Sequence, residues 1–188
     1  MAETPNRENA KSPTAEMPAA DKPKLLRDTD DDARALARKL LGDARHMALA
    51  VIDAETGFPA ASRVLTGIDA DGVPVILVSG LAGHTKALDS DPRCSLLAGE
   101  TGKGDPLAHP RIMAQCLAQR ITRDSEDYER IRKIFIARHH KAKLYVDFPD
   151  FRFYRLVPQS ALLNGGFGRA FALSASELLA ENRGKGEK

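Results

Sequence analysis

Five apolar, β-rich runs follow one another with little chain between most of them: His46–Asp53, Ala60–Ile68, Val73–Ser79, Cys94–Gly99 and Arg111–Thr122. A parallel pair of strands needs a crossover of about a dozen residues or more. Most of these connections are too short for that. Turn residues mark two of them, Glu55–Gly57 and Asp69–Gly72, and the second, Asp-Ala-Asp-Gly, is a strong hairpin signal. The pattern predicts an antiparallel sheet that closes into a small barrel with helices outside, a mainly β (α+β) fold.

Helical periodicity places the outer elements. Thr29–Asp32 supplies caps and an acidic first turn, and Ala33, Leu36, Ala37, Leu40 and Leu41 then fall on one face ended by Gly42. Asp124 or Ser125 caps a second helix to about His139, with Tyr128, Ile131, Ile134 and Phe135 on one face. Phe151–Val157 reads as a strand and Ala161–Asn164 as a further short one. Ser174–Glu177 has the capping-box pattern of a short terminal helix. Residues 1–28, with four prolines and few large apolar groups, are expected to be a disordered tail whose charges cancel. Residues 29–182 then form one domain, and 183–188 a frayed end.

Composition excludes several function classes. The chain has 188 residues, a formal net charge of +2, 5% aromatic residues and no Trp, so neither a global basic field nor base-stacking platforms invite nucleic acid. No run reaches transmembrane length and no apolar leader opens the chain, so a cytoplasmic protein without membrane contact is expected. Cys94 and Cys116 lie in apolar runs without metal-site spacing and are expected to be buried free thiols. His139-His140 reads as a solvated helix end. The stretch Gly99–Pro106 lacks P-loop spacing, and no nucleophile elbow is present.

One segment carries chemistry. Ser79–Arg93 reads as a tight turn feeding a short helix that stops before Pro92. His84 and Lys86 sit at its N-terminal end, Asp89 and Asp91 at the other, against the helix dipole. An anion such as phosphate at that end would reconcile the charges. Arg63 lies on the preceding strand, and the hairpin brings it toward Ser79. Arg63, His84, Thr85 and Lys86 therefore form a candidate anion site, with a guanidinium fork, a hydroxyl and a point charge.

These same residues carry a family resemblance. Leu81-Ala-Gly-His-Thr-Lys-Ala-Leu88, Asp91-Pro-Arg-Cys-Ser-Leu-Leu97, Ser62–Leu65, Gly104–Leu107, Ala142–Phe151 and Gly165–Ala170 occur in the order of the FMN-binding split-barrel superfamily, that of pyridoxamine 5'-phosphate oxidase. The chain most resembles its haem-utilisation branch, over roughly residues 33–175. The resemblance implies a six-stranded split barrel that forms a homodimer with FMN at the interface. It assigns the flavin phosphate to Arg63, His84, Thr85 and Lys86, places Ser79 near the ribityl chain or phosphate, and sets Arg111 and Gln115 near the ring.

Departures from the oxidase narrow the reading. Ile68 stands where the oxidase pattern has lysine, and its C-terminal substrate-binding Arg/His region has no match, which argues against vitamin B6 oxidation. Haem-degrading relatives carry a C-terminal extension with a haem-ligating histidine, whereas here no histidine follows His140. Arg169, after Gly165-Gly-Phe-Gly168, suits either an anion contact or a glycine turn. The expectation is an FMN-dependent oxidoreductase acting on a small molecule, with FMN supplying the redox chemistry. The alternatives are a haem-binding or haem-degrading protein, and a cofactor-free binding dimer.

Overall fold

The computed structural model describes residues 26–179. Seven strands, β1 (His46–Ile52), β2 (Pro59–Ile68), β3 (Pro74–Ser79), β4 (Arg93–Ala98), β5 (Arg111–Arg120), β6 (Phe151–Asn164) and β7 (Ala170–Ser174), form one sheet. Four helices accompany them, α1 (Asp31–Asp43), α2 (Gly83–Ser90), α3 (Glu126–Arg138) and α4 (Ala175–Leu179). The strand order is β3-β2-β1-β4-β5-β6-β7, and β3 also pairs with β6. That pairing closes a six-stranded antiparallel barrel, the split-barrel fold, and β7 extends it beyond β6. No helix among the described residues is long and apolar enough to cross a membrane.

Alternation builds the interior. Met47, Leu49 and Val51 of β1, Leu96 and Ala98 of β4, and Ile112, Ala114 and Cys116 of β5 point inward and are buried. Ala33, Ala37 and Leu41 of α1, Ala87 and Leu88 of α2, and Leu178 of α4 join the same cluster. The α1 face read from periodicity is the one that packs, with Asp30 as its cap. The capping box of α4 forms as expected, Ser174 donating both its N–H and its hydroxyl to Glu177.

The barrel's outer surface is covered on one side only. β3 is buried on both faces because α3 lies over it, packing Tyr128, Ile131 and Phe135 onto Val75, Leu77 and Phe153. Phe135 comes close because residue 67 is glycine: a Cβ there would sit 3.2 Å from the Phe135 ring. The opposite wall, formed by β1, β4, β5 and residues 61–65 of β2, keeps an uncovered outer face, while Gly67 of β2 lies under Phe135.

Two expectations need correction, and one strand was not expected. Phe151–Val157 and Ala161–Asn164 are one continuous strand, because the register slips at Gln115/Cys116 and leaves Pro158 beside a bulge, where its missing N–H is tolerated. Ala170–Ser174, to which the sequence reading assigned no element, is a strand with Phe171 and Leu173 inward. His139 is no solvated end. It is 6% exposed, its Nε2 pairs with the Thr66 carbonyl at 2.8 Å, and its ring stacks on Phe135. Most of the expected N-terminal tail and the frayed C-terminus lie outside the described residues, although Arg27 already donates its N–H to the Ala170 carbonyl.

Candidate functional site

The turn after β3 is held by its own side chains. The Ser79 hydroxyl donates to Asp150 at 2.6 Å and accepts from the Leu81 N–H. The Thr85 hydroxyl, fully buried, donates to the Ser79 carbonyl at 2.6 Å. His84 Nδ1 sits 3.2 Å from the Ser62 hydroxyl, which ties the first turn of α2 to β2 beside Arg63. Burial lowers the His84 pKa and favours the neutral ring. At the far end of α2, Asp89 pairs with Arg152 and accepts from Tyr154, while Asp91 holds Arg93 and titrates at about 2. The acidic end that seemed to oppose the dipole therefore has cations of its own. Of the four residues expected around a phosphate, Lys86 and Arg63 remain exposed and without a hydrogen-bond or ion-pair partner among the described residues.

The uncovered wall gathers a second set. On β2 the outward residues are Ala61, Arg63 and Leu65, and on β1 His46, Ala48, Ala50 and Ile52. Pairing aligns Arg63 with Ala48, Ala48 with Leu97, Leu97 with Met113 and Met113 with Leu162. Leu65 is paired with His46. Extending both registers to Gly99, two residues past Leu97, sets it between His46 and Arg111, and an added Cβ on Gly99 would lie 2.8 Å from the Arg111 Cα. With strands about 4.8 Å apart, His46 and Arg111 are separated by about 10 Å. Leu97 is 48% and Leu162 49% exposed, so this outer row is apolar and open to solvent.

A groove of about 420 Å³ opens at one end of this wall, lined by His46, Ala48, Ser62, Arg63, Leu97 and Glu100. His46 Nε2 lies 3.3 Å from Glu100 Oε1. Arg111 donates to the Leu107 carbonyl and has no acidic partner among the described residues. Gln115, four residues along β5, accepts from Ser160 and lines a neighbouring cleft of about 610 Å³ with Ile52, Arg93 and Leu117. Arg63, Arg111 and Gln115 thus share one wall. Ser79 and Thr85 are committed to the turn, and His84 joins the two at Ser62.

Other reactive groups are occupied. Cys94 and Cys116 are buried free thiols opposite each other on β4 and β5, as expected, and burial pushes the Cys94 thiol up to about 12 and that of Cys116 higher still. Such thiols are inert as nucleophiles. Arg169 closes the β6–β7 turn through its backbone, with Gly166 and Gly168 at positive φ. The larger basic groove under α3, lined by Arg130, Lys133, His140 and Lys143, holds none of the expected residues. Among the described residues, no three His, Cys, Asp or Glu side chains cluster as a metal site. His46 and Glu100 escaped the sequence reading, which took His46 only as the start of a strand. The available signal was period two along β1, which puts His46 on the face opposite Met47.

The chloroplastic heme oxygenase HOZ of Arabidopsis thaliana is 36% identical over 115 residues, 61% of this chain and 34% of that protein. The solved structure of a heme binding protein from Mycobacterium smegmatis is 29% identical with a TM-score of 0.74, covering 81% of this chain and 62% of that one. The protein Atu2129, of unknown function, from Agrobacterium tumefaciens is 35% identical with a TM-score of 0.70, covering 79% of this chain and 60% of that one. This chain thus spans about a third of the plant relative and about three fifths of the two bacterial ones. The family described as "CREG, beta-barrel" matches residues 28–179, nearly all of the described fold, and the chain is a member of the CREG β-barrel family within the split-barrel superfamily.

Proposed function

We propose that this protein binds haem on the uncovered wall of its barrel. One observation carries the reading: an open apolar row, Leu97, Met113 and Leu162, with Leu65 close by on β2, lies beside Arg63 and Arg111, which have no acidic partner among the described residues. Haem is a flat apolar ring with two carboxylates on one edge. The donor set fits it, since guanidinium pairs carboxylate with charge-assisted hydrogen bonds and the row supplies the apolar bed. When bound, haem supplies a redox-active iron and a conjugated ring. The residues of this chain orient it, neutralise its carboxylates and exclude water from one of its faces. The names of the plant and mycobacterial relatives support the same ligand.

FMN is the second reading, favoured by Lys86 and Arg63, which have no partners among the described residues. It is weakened by the turn, because the Thr85 and Ser79 hydroxyls expected to donate to phosphate already donate to the Ser79 carbonyl and to Asp150. Parallel titrations with hemin and with FMN decide between the two. Haem binding gives a saturable Soret shift with one hemin per chain or per pair of chains. A yellow, stoichiometric FMN complex with no hemin response overturns the haem reading.

A second copy of the chain is proposed to cover the exposed face of the bound ring. Ile52, Leu65, Leu97 and Leu162 are each about 40–50% exposed on this single wall, and contiguous apolar surface of this kind marks a binding or association site.

A further inference from the structure

Resting on the haem reading, we infer that His46 ligates the haem iron and that Glu100 is the positioning residue that fixes its ring. The chain has five histidines, and the other four are committed or remote. His84 is tied to Ser62, His139 is buried on the Thr66 carbonyl, His109 folds back onto the Lys103 carbonyl, and His140 lies in the groove under α3. His46 alone stands on the uncovered wall, half-buried, opposite Leu65 and diagonal to Arg63. Arg111 lies two strands to its other side. A ring laid on Leu97 and Met113 would have an arginine on either side of His46 to meet its carboxylates.

Glu100 is the independent observation. Its carboxylate oxygen lies 3.3 Å from one ring nitrogen of His46, and its side chain is 80% exposed with no other partner among the described residues. An exposed pair of this kind adds little to stability. Metal-ligating histidines, by contrast, donate their second N–H to a carboxylate, which sets the tautomer and raises the basicity of the ligating nitrogen. With Nε2 held by Glu100, the ring nitrogen left for the iron is Nδ1. The backbone is shaped for this contact. Gly99 has φ +133°, and a Cβ there would lie 2.6 Å from the Pro110 carbonyl oxygen, so glycine lets the chain turn and bring Glu100 back over β1.

The test uses the full-length protein, hemin and metal-free protoporphyrin IX. Protoporphyrin has the carboxylates and the ring but no iron. It is expected to bind wild type and His46→Ala alike, which also shows that the variant is folded. Hemin is expected to bind His46→Ala more than about tenfold more weakly, with an altered Soret band and no iron–histidine stretch in the ferrous resonance Raman spectrum, and added imidazole restores both features. Glu100→Gln keeps the stretch but lowers its frequency, and weakens hemin by about tenfold. An unchanged hemin spectrum in His46→Ala overturns the ligand assignment while leaving the haem reading intact. The same holds if Met113→Leu rather than His46→Ala removes the axial ligand. If wild type binds neither porphyrin, the haem reading itself falls.

Discussion

Arg63 and Arg111 are the residues whose removal should be felt first. Each offers charge-assisted contacts worth roughly 1.5–3 kcal/mol. Arg63→Ala and Arg111→Ala are each expected to weaken hemin and metal-free protoporphyrin by about tenfold or more, measured by fluorescence quenching. Lys86→Ala should leave both titrations unchanged, and a loss there would return the anion site to α2. His139 gives a different readout. Its pKa is lowered, by burial first and also by the neighbouring charges Arg45 and Arg138, while the Thr66 carbonyl works the other way. The unfolded chain then takes up this proton before the folded one, so stability is full above about pH 6.5 and falls as the pH drops through that value toward the folded pKa. His84, also lowered, contributes with the same sign. Urea midpoints measured from pH 7.5 to 5 should decline, and His139→Gln should flatten part of that decline. Arg63 was legible in the sequence because a hairpin fixes its neighbours. The hydroxyl of Thr85 was not, since whether it meets a ligand or the Ser79 carbonyl depends on how the turn packs.

Hairpins and helices were the legible elements. Asp69–Gly72 forms the expected turn, and the structure adds what holds it: Asp69 accepts from the Asp71 and Val73 N–H groups and from Arg155 Nε at 2.6 Å. Asp69→Ala leaves those donors and a partly buried guanidinium without their acceptor. It should cost about 3 kcal/mol or more in chemical denaturation. The joint between α3 and the barrel rests on Gly67, where a Cβ would lie 3.2 Å from both the Phe135 ring and the Val75 Cγ2. Gly67→Val is expected to overpack that joint by about 1–3 kcal/mol and lower Tm by several degrees. Neither cost was visible in sequence, because a lone glycine inside a strand pattern does not say what approaches it. β6 was split in the sequence reading for a related reason. Pro158 punctuates a single strand but cannot announce that a bulge will accommodate it.

For the whole molecule, short connections dictated an antiparallel barrel, and the structure has one. What they did not dictate was which wall would stay bare. That follows from α3 lying over Gly67, Val75 and Phe153 and leaving β1, β4, β5 and residues 61–65 of β2 uncovered, a choice made by long-range packing. If a second copy covers this wall, sedimentation velocity should give a dimer at micromolar concentration. Leu97→Arg or Leu162→Glu should shift it toward monomer without lowering Tm by more than about a degree or two, since both side chains are about half exposed already. A monomeric wild type that binds hemin fully would remove the second copy from the site. The closing pair of the barrel has one more consequence. β3 meets its second neighbour only when Phe151–Arg155 arrives, long after Val75–Ser79 has been made. On the ribosome, every strand before β6 waits with its apolar faces unmatched. Synthesis must run past Phe151–Arg155 before the ring can shut, and nascent chains arrested short of β6 should be protease-sensitive and chaperone-bound, with protection appearing in a single step once β6 emerges.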